Sequence, residues 1–396
     1  MSRSKILIVE ALSSGYVKNE NSSILSEGLA MLISIANDIS RAGYDVSIVL
    51  SKKFMNSKLR IETSKIFKVN SLKNSLLKTF AKAHDFTYII APESENLLLS
   101  MVKSLEGFHI NSKPEAIKLV SDKARMLLEL SQKGFKVPET LNPFEISLIK
   151  EMGFPLIIKP CFSAGCEGLK IVKNMNEFHK AFKKLHKAYN QLIVQKLVKG
   201  IPASVSLITD GFNVKHLSLN KQFIELNKPE YLGGYTPLNH KLKQKAFNIA
   251  ERIVKNFKGL KGYIGIDVIL SKNEVYIVEI NPRLTVSYVG LSKVSRINLA
   301  KPIVESCLKS LPNFNISFNG LCYFHKALFK KCFTKNFIES INSFNEVLIP
   351  PIKLKNSSNE GYGFITTISK SFLNAKKVYL KLIDRIMKET GCKIVW

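Results

Sequence analysis

The chain has 396 residues, 45% of them hydrophobic, which is room for two or three domains with buried cores and too apolar for global disorder. Lysine and arginine number 59 against 31 acids, a formal net charge of +28, which favours anionic partners such as phosphates, nucleic acid or an acidic surface. The basic residues are spread along the whole chain without a long basic block or interleaved aromatics, so a solvated lysine-rich surface fits better than a nucleic-acid footprint.

No stretch approaches the roughly 18 to 20 uninterrupted apolar residues of a membrane span. Met1–Glu10 is too short and ends too acidic for a signal peptide, so the cytoplasm is the expected location. Cys161, Cys166, Cys307, Cys322, Cys332 and Cys392 form no CxxC pair and show none of the spacings of zinc ligands. They are expected to be reduced thiols.

In chain order, KILIVE (Lys5–Glu10) reads as a strand, and Ser23–Ala42 as a helix with Leu25, Leu29, Leu32, Ile33 and Ile39 on one face and Gly43 as its stop. DVSIVL (Asp45–Leu50) and FTYIIAP (Phe86–Pro92) are further strands, with helical or mixed segments between them. Alternation of this kind predicts an α/β domain with a parallel sheet over residues 1–112. Lys113–Thr140 reads as two short helices leading into a new strand.

FPLIIKP, LKIV, QLIVQKLV and SVSLIT are then strands around the loop Cys161–Gly168, with a helix over Asn176–Tyr189. Phe223–His240 lacks clear periodicity and contains Gly233-Gly234, so it reads as a long loop. Lys241–Phe257 is an amphipathic helix, followed by the strand pair YIGIDVIL and EVYIVEIN. The remainder mixes strands with a terminal helix over Leu373–Glu389. The expected divisions are 1–112, 113–193, 194–310 and 311–396.

The chemistry concentrates in VYIVEINPR. Side chains alternate across a strand, so Glu279 and Asn281 share a face with Val275 and Ile277. Asp267 on the neighbouring strand lies opposite Glu279 if the turn is Lys272-Asn273-Glu274, with Asn273 or Glu274 left-handed; a two- or four-residue turn would separate the carboxylates. In that register Asp267, Glu279 and Asn281 present the hard oxygens that Mg²⁺ on nucleotide phosphates requires, and Arg283 can neutralise a transferring phosphoryl group. A strand end with solvent-facing polar groups would show the same spacing.

Lys159 closes a strand as IIKP and is followed by the amide-rich loop CFSAGCEG, an arrangement that can hold phosphates without a Walker A sequence. A surface turn is the competing reading. No GxxxxGK[ST] occurs, and GYIG at Gly262 lacks the further glycine of a dinucleotide fingerprint.

In order, SDK with Lys123, IIKP with Lys159, the Ser163–Gly168 loop, IVQKLVKG, GIDVIL and VEINPR resemble the ATP-grasp fold of carboxylate-amine ligases, over about Lys113–Glu305. That resemblance implies two α+β subdomains clamping ATP behind an N-terminal α/β domain, and a C-terminal α+β part packing on the catalytic subdomain. It implies that Lys123, Lys159, Ser163, Gly165 and Gly168 hold ATP phosphates and that Asp267, Glu279 and Asn281 hold Mg²⁺, or Mn²⁺ in its place. Gln195, Lys196 and the backbone of Val198 fall on the adenine hinge.

Two departures stand out. Gln195-Lys196 occupies the place of a common acidic residue, and Pro202 the place of a ribose-binding carboxylate.

VEALSSGY, SEGLAML, IKLVSDK, GIPASVSLI, YLGGYTPL and EINPRLTVSYVGL look most like the tyramine-glutamate ligases of methanofuran biosynthesis. This implies activation of the glutamate γ-carboxylate as an acyl phosphate and attack by the amine of tyramine, with Lys159 and Arg283 catalytic. Glu10, Glu27, Gly233 and Gly234 are the candidate substrate residues, a capping or core-edge role being the other reading of the two glutamates. Cys166 is expected to be an inert small side chain. Partners are then small amino-acid and amine substrates, with no membrane and no nucleic acid, and a homodimer compatible with the chain. The competing functions are an ATP-grasp ligase for another amino acid or peptide, and a non-catalytic basic protein that binds nucleotides or nucleic acid.

Overall fold

Four short strands, Lys5–Glu10 (β1), Asp45–Ser51 (β2), Lys65–Val69 (β3) and Phe86–Ile90 (β4), form a parallel sheet in the order β3-β2-β1-β4. These features come from a computed structural model that describes residues 3–17, 21–54, 59–105, 109–355, 357 and 359–395. The central strands are buried along nearly their whole length, as continuous apolar runs in parallel sheets are. β3 lies at the edge and is half exposed, which is why KIFKV carries too few apolar residues to read as a strand. The helix Ser22–Arg41 begins at Asn21, whose side chain accepts from the Ser23 amide at 3.1 Å, and is buried nearly all round. It packs against β1 and β2 and also against the C-terminal strands described below.

A second, antiparallel sheet is built from Thr140–Leu141 (β5), Leu156–Pro160 (β6), Lys170–Val172 (β7) and Leu192–Lys196 (β8), in the order β5-β8-β6-β7. Helices Ile146–Met152 and Met175–His186 close its own small core around Ile158, Phe178 and Val194. The expected division between residues 193 and 194 cuts through β8 and is corrected here: the whole strand belongs to the small sheet. The helices Pro114–Ser121 and Lys123–Gln132 also leave the small unit, because Ala116, Val120, Met126, Leu127 and Leu130 are buried in the core of the large sheet.

Among the described residues that sheet has nine strands. Ile201–Thr209 (β9), Val214–Glu225 (β10), Glu230–Thr236 (β11), Gly262–Ser271 (β12), Glu274–Asn281 (β13), Leu321–Lys330 (β14), Val347–Lys353 (β15) and Glu360–Ser369 (β16) run in the order β13-β12-β9-β10-β11-β14-β16-β15, and Lys393–Val395 (β17) pairs with β14. The C-terminal part therefore continues the large sheet through β11 and β14, which goes beyond packing on it. Helix Phe372–Thr390 covers β14 and β16 over a separate aromatic core that includes Phe329, Phe337 and Tyr379. Among the described residues no helix is long and apolar enough to cross a membrane.

The long loop expected over Phe223–His240 is instead the end of β10, a turn and β11. The glycines that suggested a loop are demanded by crowding between strands. A Cβ on Gly233 would run into the carbonyl oxygen of Phe324, and one on Gly234 into that of Lys221. They serve the sheet, and they lie outside the wall of the large cavity described next. Gly234→Ala is accordingly expected to destabilise the fold by about 1 to 3 kcal/mol or more. Thermal unfolding measures this; an unchanged Tm would return the glycine to the substrate side.

Candidate active site

β12 and β13 meet in a two-residue turn, Lys272-Asn273, with Ser271 opposite Glu274 and Lys272 left-handed at φ 48°. The expected three-residue turn, with Asn273 or Glu274 left-handed, is not what forms. Carried on unchanged, this register would set Glu279 across from Ile266 and point it away from Asp267. A β-bulge intervenes: Val268 pairs with Ile277, the next residue Asp267 pairs with Glu279, and Val278 is the extra residue between.

The bulge also reverses the faces expected from simple alternation. Val275, Ile277 and Ile280 are buried in the sheet core, while Val278, Glu279 and Asn281 line the cavity. Glu279 thus shares no face with Val275 and Ile277. The predicted juxtaposition of Asp267 with Glu279 forms by a different route.

The cavity has a volume of about 900 Å³ and lies where the three sheets converge. In it Asp267 is half-buried: burial first, and then the charge of Glu279, push its carboxyl well above the usual range, against hydrogen bonds that include the Gln222 amide at 3.0 Å. Two carboxylates this close fit a divalent cation, and the third oxygen nearby is the Asn281 amide. Among the described residues no group of three His, Cys, Asp or Glu side chains could serve instead.

Lys123, at the start of its helix, reaches Glu279 Oε1 at 2.8 Å and donates to the carbonyl of Ser163 at the base of the loop. Lys159, next to the end of β6, is 5% exposed and is held down to about 8 by burial and by the charge of Lys123. The charge of Lys123 thus opposes that of Lys159, and the Glu279 carboxylate offsets it only in part. Gly165 and Cys166 turn the loop with positive φ, and Ser163 Oγ bonds to the Pro160 carbonyl at 3.3 Å. Ser163 and Gly165 line the cavity, whereas Gly168 packs on Pro160, where a Cβ would come within 2.7 Å. Burial, followed by Glu279, pushes the Cys166 thiol up to about 12, consistent with an inert side chain.

At the hinge, Gln195 is buried and donates to Thr140 Oγ1 at 2.8 Å, and Lys196 turns its ammonium to the carbonyls of Met152 and Gly153. Both side chains have protein partners, and the hinge from Gln195 to Val198 still borders the cavity between Ile157 and Ile171 on one sheet and Ile269 on the other. Pro202 lines the same region.

Arg283 is gripped by a residue the sequence did not single out. Glu93, 1% exposed just beyond β4, accepts from Arg283 Nε at 3.0 Å and Nη2 at 2.8 Å. Nη1 donates to the Leu284 carbonyl at 3.1 Å and Nη2 also approaches Asn281 Oδ1 at 3.5 Å. The only hint in sequence was an acid just past the carboxyl end of a parallel strand, where such sheets place ligand-facing groups. Glu10 and Glu27 also line the cavity, on the N-terminal side.

Comparison with known proteins follows this geometry. A family model described as an ATP-grasp domain matches residues 120–287, from Lys123 through the loop, hinge and carboxylate hairpin. A tyramine–L-glutamate ligase from Methanocaldococcus jannaschii is 32% identical over 302 residues, 72% of this chain and 86% of that one. Its counterpart from Methanocaldococcus fervens is 32% identical over 71% of this chain and 87% of its own length. Among solved structures, a putative ATP-grasp superfamily protein from Archaeoglobus fulgidus superposes with a TM-score of 0.64 at 23% identity over 91% of this chain and 98% of that one. A biotin carboxylase from Campylobacter jejuni gives 0.69 at 16% identity over 100% and 92%. These structural likenesses bear on the fold, and the sequence relatives carry the narrower assignment: the chain belongs to the tyramine–L-glutamate ligase family of ATP-grasp proteins.

Proposed function

We propose that the chain is an ATP-dependent carboxylate-amine ligase that joins the γ-carboxylate of glutamate to the amine of tyramine, a step that fits methanofuran biosynthesis. The observation that carries this reading is the facing pair Asp267 and Glu279 with Lys123 and Lys159 at the same cavity. Half-buried carboxylates and buried ammonium groups on one cavity suit a metal-bound polyphosphate better than any neutral ligand.

Asp267, Glu279 and Asn281 would hold Mg²⁺, or Mn²⁺, whose chemistry is to neutralise phosphate oxygens. Lys123 and Lys159 neutralise the remaining phosphate charge, the Ser163–Gly168 loop covers it, and the hinge at Gln195, Lys196 and Val198 borders the adenine. A γ-carboxylate oxygen of glutamate attacks the terminal phosphorus, and the bond from that phosphorus to the oxygen of departing ADP breaks. The substrate ammonium first gives up a proton to solvent, the neutral nitrogen attacks the acyl carbon, phosphate leaves with its bridging oxygen, and the nitrogen sheds a second proton. Converting the carboxylate into an acyl phosphate replaces oxide, a poor leaving group, with phosphate. Arg283, aimed by Glu93, stabilises charge in both steps.

Incubating the protein with glutamate, tyramine and Mg-ATP should release phosphate and yield γ-glutamyltyramine by mass spectrometry. Release with another amine or acid would change the substrate alone; no release with any pair, from folded protein, would end the ligase reading. A pH profile gives a second check. Lys159 is charged below about 8 and neutral above it, so kcat/KM for ATP should fall as pH rises through that value. Lys159→Met should lose the limb and about 100-fold of kcat/KM; a profile flat across that region in the unsubstituted chain would remove Lys159 from the phosphates.

A further inference from the structure

The N-terminal end of the cavity is at once apolar and acidic. Leu12, Ile24, Met31 and Ile90 line it together with Glu10 and Glu27. The two glutamates are held differently. Glu10 spends both oxygens on its own loop, accepting from the Ser13 amide at 2.6 Å and the Leu12 amide at 3.2 Å, so it works as an internal cap. Among the described residues Glu27 is engaged through Oε1, by Lys326 at 3.0 Å.

Lys326 lies on β14, beyond the residues matched by the ATP-grasp model, and is 4% exposed. Its ammonium meets Ser23 Oγ at 2.6 Å, Glu27 Oε1 at 3.0 Å and Glu230 Oε1 at 3.0 Å, one acceptor for each of its three N–H donors. Ser23 Oγ also donates to Glu230 at 3.1 Å, closing the ring. This cluster ties helix Ser22–Arg41 to β11 and β14, and it places a buried carboxylate at an apolar wall. An ammonium carried on an aromatic arm suits such a wall: the ring takes the aliphatic surface and the charge takes the carboxylate.

We propose that this end of the cavity is the amine pocket, that Glu27 receives the ammonium of an arylalkylamine, and that Lys326 is the positioning residue that holds Glu27 there. The inference rests on the ligase reading and adds to it the residue that selects the amine and the C-terminal strand that sets it. Burial pushes Glu27 upward and Lys326 pulls it back down; Glu230 adds to the rise and Arg283 opposes it. Tyr231 and Cys166 also feel its charge. Without Lys326, Glu27 keeps its proton to higher pH and meets an ammonium as a neutral acid.

The test measures KM for tyramine, glutamate and ATP separately in the unsubstituted chain, Glu27→Gln, Lys326→Met and Lys326→Arg, from about pH 6 to about pH 9. Glu27→Gln and Lys326→Met should raise KM for tyramine about tenfold or more, the effect of losing a charged hydrogen bond, and leave KM for ATP and glutamate within about twofold. Lys326→Met should also move the acid limb of kcat/KM for tyramine to higher pH, and Lys326→Arg should restore both. Three KM values rising together in Lys326→Met, or an unmoved limb with unchanged tyramine KM, would make the cluster a structural strap and overturn the proposal. Should Lys326→Met not fold, Glu27→Gln decides: an unchanged tyramine KM there is equally fatal. An unsubstituted chain that forms γ-glutamyltyramine while Glu27→Gln keeps its tyramine KM fails only this inference, whereas a chain that joins no amine to any acid fails as a ligase.

Discussion

One residue out of register, Val278, decides which way the site's carboxylates face. With the two-residue turn at Lys272-Asn273, an unbroken hairpin would drive Glu279 toward the side where Val275 and Ile277 are buried. An ionised carboxylate in an apolar core is penalised by several kcal/mol. The bulge keeps Ile277 and Ile280 in the core and brings Glu279 opposite Asp267 on the cavity side. Everything else in the site answers to that pair. Lys123 neutralises Glu279, Gln222 supports Asp267, and burial together with Lys123 depresses Lys159.

The cavity is assembled from distant parts of the chain, and buried ion pairs join those parts. Arg283 after β13 is fixed by Glu93 after β4, and Lys326 on β14 is fixed by Glu27 of the N-terminal helix and Glu230 on β11. Such pairs are weak sources of net stability and strong sources of geometry, since breaking one leaves a buried charge. The excess of positive charge along the chain is not gathered here. The cavity wall carries the acids Glu10, Glu27, Glu95, Glu167, Asp267 and Glu279 against Lys123, Lys159, Lys196, Lys199 and Arg283, so selectivity depends on where each charge is held.

Much of this was legible in the residues. Apolar runs marked β1, β2, β4, β6 and the β12–β13 hairpin, and the requirement that Asp267 face Glu279 gave the right pairing. The turn was wrong because a bulge and a longer turn give the same pairing at that point, and a single sequence does not distinguish them. Phe223–His240 was misread because Gly233 and Gly234 look like loop residues until the neighbouring carbonyls of Phe324 and Lys221 are in place. Glu93 and Lys326 escaped notice because their meaning lies in partners 190 and 299 positions away. Gly168 sits where the motif suggested a phosphate contact, yet its neighbours Pro160 and Tyr189 explain its lack of a side chain.

The central claim is that a carboxylate is activated by direct phosphorylation at this cavity. Glutamate labelled with ¹⁸O in its γ-carboxylate tests it most directly, by following the label during amide formation with Mg-ATP. The account predicts that one labelled oxygen leaves in inorganic phosphate and the other stays in the amide carbonyl. Amide formed with unlabelled phosphate, or with the label carried away in AMP, would contradict it.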